Sequence, residues 1–213
     1  MSTHLALLNH AARRRVGLLG GSFNPAHEGH LFVSHLALER LDLDEVWWLV
    51  APQNPMKPLE GMASLEGRLA AAKQYTRGLD IVVTGIEREL RTRFTADTIQ
   101  RLQIRAPHAR FVWLMGADNL ATVHRWHRWQ TIFKSVPVAI FDRSPYSLSS
   151  LASRAAVRFR RYRLPALRAQ VIADCEPPVW AFVLGPRHPA SATAIRAGDR
   201  RFGFAGQDDG PTL

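Results

Sequence analysis

Cysteine is almost missing from this chain: Cys175 is the one such residue in 213. A lone cysteine rules out an intramolecular disulfide and leaves any thiolate metal site without a second sulfur ligand, which fits a reducing, cytoplasmic setting. Long apolar runs are missing too. No stretch approaches the roughly 20 residues that a membrane-spanning helix needs, and Arg13-Arg14-Arg15 follow the weak N-terminal apolar patch instead of preceding it, the reverse of a secretory signal. Acidic residues are outnumbered, 18 Asp and Glu against 28 Lys and Arg, for a formal charge of +10. Such a surplus attracts polyanions, either nucleic acid or small phosphorylated substrates. No pattern of a known nucleic-acid module accompanies it, so the arginine clusters at 13–15, 158–163 and 200–201 read as solvated faces. The expectation is a chain with neither nucleic acid nor membrane as partner; a basic nucleic-acid-binding module is the alternative from a different class.

What is present is a balanced globular composition, 46% apolar, long enough for one full core. The expected organisation is a single domain over 1–213, its core about 16–197, with loosely ordered termini. Apolar runs of strand length recur at Val16–Leu19, Val46–Val50, Ile81–Val83, Phe111–Met115, Val138–Phe141 and Val179–Leu184. Most are continuous, as in strands covered on both faces. Helical patterns fall between them, at about Gly29 to Leu41, Ser64 to Tyr75, Ala96 to Arg105, Trp129 to Phe133 and Leu148 to Arg163. This βαβα alternation predicts an α/β fold: a doubly wound, mostly parallel sheet with helices on both faces. Its ligand site is expected beyond the carboxyl ends of the strands, where the strand order switches direction.

The segment Gly20-Gly21-Ser22-Phe23-Asn24-Pro25-Ala26-His27-Glu28-Gly29-His30 sits on the first strand-to-helix turn. Glycines there form a phosphate cradle of outward-pointing N–H groups at a helix N-terminus. His27 and His30, three apart in the first helical turn, lie on one side and can grip the same anion. A second anion site is read at Ser191-Ala192-Thr193-Ala194-Ile195-Arg196, where a helix cap supplies hydroxyls and a guanidinium. Gly116-Ala117-Asp118 ends a strand, placing a carboxylate where ribose hydroxyls or a hydrated metal can meet it. Trp126 and Trp129, three apart on a helical turn, offer one ring to the core and the other to a ligand. In the proline-rich loop 52–58, Lys57 lies over the sheet edge within reach of a phosphate.

Together these segments resemble the bacterial nicotinate-nucleotide adenylyltransferases of the nucleotidylyltransferase superfamily, over most of residues 16 to 197. Gly20 to His30 is similar to the family's G-G-[ST]-F-[DN]-P-x-H-x-G-H signature, with Asn24 where Asp is commoner, and Ser191 to Arg196 to its S-x-T-x-I-R signature. The resemblance implies a Rossmann-like fold and adenylyl transfer from ATP to nicotinate mononucleotide, with Mg2+ carried mainly on the ATP phosphates. It places His27, His30 and Arg196 in catalysis. Gly20, Gly21, Ser22, Phe23, Lys57, Gly116, Asp118, Ser191 and Thr193 fall around ATP, and Asn54, Thr95, Trp126 and Arg143 around the nicotinate nucleotide. The segments Gly116–Trp126 and Phe94–Thr98 are what the resemblance uses to separate this family from relatives acting on nicotinamide mononucleotide or another phosphorylated acceptor. A monomer or a homodimer is expected; the tyrosine-containing terminal helix of many members has no counterpart after Arg196, a departure that bears on the oligomer interface and not on the chemistry.

Overall fold

The computed structural model describes residues 3–52, 62–142 and 147–185. Seven strands lie in one sheet: β1 (Arg15–Gly21), β2 (Glu45–Val50), β3 (Ile81–Thr84), β4 (Arg110–Gly116), β5 (Val138–Phe141), β6 (Arg163–Leu164) and β7 (Trp180–Val183). Their order is β3-β2-β1-β4-β5-β7-β6, and every neighbouring pair is parallel. Residues of β2, β5 and β7 are buried at every position, which is why their sequences run apolar without alternation.

Around the sheet lie α1 (Thr3–His10), α2 (Glu28–Arg40), α3 (Leu65–Tyr75), α4 (Ile86–Leu90), α5 (Thr95–Arg105), α6 (Ala117–Thr122), α7 (Trp129–Ser135) and α8 (Arg154–Arg158). The pleat sends adjacent residues to opposite faces. Trp47 therefore packs with Ile86, Ile99 and Phe133 from α4, α5 and α7, while Trp48 packs with Val33 and Ala72 from α2 and α3. Both indoles are fully buried. The chain steps from β1 outward to β2 and β3, then returns to β4 on the other side of β1 and moves to β5. The carboxyl ends of β1 and β4 thus border the switch point, and Gly20-Gly21 and Gly116 stand there together.

Two expectations change. The segment Leu148 to Arg163 is three short turns instead of one helix: a 3-10 stretch over Ser147–Ala152, then α8, then Arg160–Tyr162. The Ser153 hydroxyl restarts the chain as an N-cap, accepting from the Ala156 N–H at 3.3 Å. Near the N-terminus, α1 stands where loose chain is expected, held by Leu8 and Ala11 in the core. No helix among the described residues is long and apolar enough to cross a membrane.

Candidate active site

The phosphate loop is shaped by contacts with the core beneath it. A Cβ on Gly20 would stand 2.6 Å from Cη2 of the Trp113 indole, a ring that is almost wholly buried and has nowhere to move. Gly20→Ala therefore loses about 1–3 kcal/mol by overpacking, read as a lower denaturant midpoint. Two residues on, Phe23 has a φ of +46°, a region that bulky side chains occupy only when their surroundings demand it. Here the demand is packing. The Phe23 ring stacks on Trp48 with centroids 4.7 Å apart and leans on His30 at 4.6 Å.

His27 and His30 meet at the N-terminus of α2, their ring centroids 3.8 Å apart. His27 is the N-cap, and the two rings complete a reciprocal box. The Gly29 N–H donates to Nδ1 of His27 at 3.1 Å, and the His27 N–H donates to Nδ1 of His30 at 3.2 Å. Two backbone donors expected to serve an anion are therefore taken by the imidazoles. The consequence is chemical: with Nδ1 accepting, each neutral ring carries its proton on Nε2, and Nε2–H is the donor it can direct at a phosphate. Below them the Trp48 Nε1–H donates to Ser34 Oγ at 2.8 Å, which donates to the His30 carbonyl at 2.9 Å, locking this first turn to β2.

Arg68 is a site residue absent from the motifs read in the sequence. Its side chain is buried and donates to four carbonyls from three segments: Ser22 at 2.7 Å, Ala51 at 2.8 Å, Pro52 at 3.0 Å and Ala63 at 3.0 Å. The Ala63 N–H in turn donates to Asn24 Oδ1 at 3.2 Å. Burial lowers the Arg68 pKa, opposed by the Glu66 charge, yet a guanidinium stays protonated. A fixed positive charge thus lies directly against the loop after β1, at Ser22, and ties down both described ends of the loop that leaves β2. A signal was available: Leu65, Arg68, Leu69 and Ala72 share the i, i+3, i+4, i+7 stripe of α3 that faces inward.

At the end of β4, Gly116 is the N-cap of α6 and Asp118 stands exposed in its first turn. The two tryptophans are not on one helical turn. Trp126 is extended at the end of a 3-10 turn, and Trp129 begins α7 after Arg128 at a φ of +50°. Trp129, half-buried against the core, makes edge contacts with Phe133 and Phe159 at 6.2 and 5.9 Å. Trp126 is likewise half-buried with one side on that core, and none of the ring contacts that engage Trp129 involves it. Thr95 opens α5, and this helix start is clamped to the tryptophan turn. The Phe94 and His127 rings lie 4.4 Å apart, and Arg128 pairs with Asp97 at 2.9 Å. Asn54, Lys57, Arg143, Ser191, Thr193 and Arg196 fall outside the described residues.

Known proteins share this sequence pattern and this fold. The cytidylyltransferase-like family model matches residues 18–198. A protein of Gluconacetobacter diazotrophicus named "probable nicotinate-nucleotide adenylyltransferase" is 48% identical over 185 residues, covering 87% of this chain and 86% of that protein. One of the same name from Methylorubrum extorquens is 49% identical over 182 residues, covering 85% and 98%. Among solved structures, the Plasmodium falciparum nicotinic acid mononucleotide adenylyltransferase shares the fold, with a TM-score of 0.63 at 13% identity over 86% of this chain and 83% of that one. It has been solved complexed with APC and with NaAD.

Proposed function

The chain belongs to the cytidylyltransferase-like family, and on that footing we propose that it transfers the adenylyl group of ATP to nicotinate mononucleotide, releasing pyrophosphate and forming nicotinate adenine dinucleotide. A 5′-phosphate oxygen of the mononucleotide attacks the α-phosphorus in line. The P–O bond to the departing pyrophosphate breaks, and its electron pair leaves with the pyrophosphate. Two anions must be brought together, so the enzyme's task is positioning and neutralisation. The observation that carries this reading is the interlocked histidine pair at the switch point, its rings 3.8 Å apart and each Nδ1 accepting from a backbone N–H.

In this reading His30 donates to the α-phosphate as charge spreads there, and His27 with Arg196 holds the pyrophosphate. The positive end of α2 and the buried Arg68 raise the local potential. Gly20, Gly21, Ser22, Phe23, Gly116 and Asp118 line the nucleotide, with Lys57, Ser191 and Thr193 joining them. Magnesium would come with the ATP phosphates and would supply further neutralisation of the pyrophosphate. Asp118, exposed in the first turn of α6, is a carboxylate that would meet the hydrated ion or the ribose hydroxyls. Trp126 stacks on the pyridine ring, with Thr95, Asn54 and Arg143 around the nicotinate. The chain is proposed to act in the cytoplasm as a single domain, monomeric or homodimeric, in NAD biosynthesis.

Pyrophosphate release with ATP and magnesium tests this directly. Release is expected with nicotinate mononucleotide and much less with nicotinamide mononucleotide; the reverse preference overturns the substrate assignment. Trp126→Ala raises KM for the nicotinate substrate about tenfold through lost stacking while KM for ATP stays put. Equal shifts in both remove the stacking role.

A further inference from the structure

Behind the start of α5 lies a buried acid that none of the chemistry above employs. Glu87 of α4 is nine-tenths buried, and Thr98 is wholly so. The Thr98 hydroxyl faces three acceptors: Glu87 Oε1 at 3.0 Å, Thr92 Oγ1 at 2.9 Å and the Phe94 carbonyl at 3.3 Å. The Thr92 N–H donates to the Glu87 carbonyl at 3.0 Å, closing the connection between α4 and α5 on itself. A hydroxyl has one proton to give, so the three contacts cannot all be satisfied by Thr98.

The protonation state of Glu87 decides where that proton goes. As a carboxylate, Glu87 takes it, and Thr92 can only donate toward Thr98. As a neutral acid, Glu87 donates to Thr98 Oγ1, and the Thr98 proton is freed for the connection into α5: to Thr92 Oγ1, or to the carbonyl of Phe94, the N-cap residue, which also accepts the Asp97 and Thr98 N–H groups at 3.0 Å. We propose that Glu87 is a positioning residue for the acceptor-nucleotide subsite: acting through Thr98, it holds the Phe94–Thr95 backbone against which the pyridine end is read, and its neutral form is the competent one. The inference rests on the substrate reading given above.

Burial pushes the Glu87 carboxyl up to about 7, opposed by the Thr98 hydroxyl. Surrounding charges do not offset this. On the α4 segment Arg88, Glu89 and Arg91 are exposed, Arg88 pairing with Glu66 of α3. On α5, Asp97 pairs with Arg128, and Arg101 and Arg105 are exposed. On β2, the single ionisable residue, Glu45, is bound by Trp47 Nε1 and His10. A carboxyl raised in this way is neutral below about pH 7 and charged above it. Charging it also puts a negative group two hydrogen bonds from the Phe94 carbonyl, one residue before Thr95.

The test follows KM for nicotinate mononucleotide and for ATP by pyrophosphate release in the wild-type chain, Glu87→Gln and Glu87→Ala, with thermal midpoints alongside. Glutamine keeps the shape, supplies a donor to Thr98 and cannot ionise. The ratio of wild-type to glutamine KM for the mononucleotide is expected to rise about tenfold between about pH 6 and about pH 8, with ATP unaffected. Titration of the substrate phosphate, with a second pKa of about 6, acts on both variants and cancels in that ratio. Glu87→Ala has a raised mononucleotide KM throughout; if it fails to fold, the glutamine ratio alone decides. A ratio flat with pH, or an equal shift in the KM for ATP, overturns the inference while leaving the activity in place. A wild-type chain that releases no pyrophosphate with this substrate overturns the activity first.

Discussion

His30→Ala lowers kcat by about 100- to 1000-fold, the usual cost of removing one preorganised donor to a developing charge, while the protein stays folded. The fold survives because the His30 side chain is only half-buried, and the hydrogen bond that its Nδ1 accepts is a cap contact from the His27 N–H. Losing such a cap contact costs about 1 kcal/mol. The donor that disappears is Nε2–H, the ring position that the Nδ1 contact reserves for chemistry. Turnover by pyrophosphate release and a circular dichroism melt together decide the matter. Near-normal kcat, or a collapsed melting transition, removes His30 from the catalytic role. His27 should separate from it: as a buried N-cap bound to the Gly29 N–H, its loss lowers both turnover and stability.

The parts of this molecule that read clearly from sequence are those where one physical cause dominates. Burial on both faces makes a strand continuously apolar, and Val138–Phe141 begins and ends where its apolar run does. The histidine pair is legible because a spacing of three sets both rings on one side of a helix start, directly behind a diglycine. What stays hidden depends on tertiary partners that lie far away in sequence. The 3-10 turn at Trp126 replaces a helical turn because Arg128 takes a positive φ and clamps to Asp97, 31 residues earlier. The break inside 148–163 rests on serine caps competing with a helical pattern. Glu87 reads as one more acid on a short helix until Thr98 is brought against it.

Arg68→Ala carries the largest expected effect on stability, and the reason is what it would leave behind. Four carbonyls in three segments now share one guanidinium, and removing it strands them in a site where only 3% of the Arg68 surface reaches solvent. A buried acceptor left without its donor costs about 1–3 kcal/mol, so losing a donor shared by four of them is expected to cost about 3–5 kcal/mol in all, equivalent to a melting temperature lower by roughly 6 to 20 °C in a chain of this size. Water can enter the gap and recover part of this, which makes the lower end the safer threshold. Lysine is a poor substitute, since its single ammonium cannot reach acceptors on both the phosphate loop and the loop after β2. Activity should fall with stability in a particular way: the Ser22 carbonyl and the loop ends at Pro52 and Ala63 lose their common anchor, so KM for ATP rises in Arg68→Lys even at temperatures where that variant is fully folded. A melting point within a degree or two of wild type in Arg68→Ala would mean that the four carbonyls find other donors, and that the phosphate loop is held by packing of Phe23 on Trp48 alone.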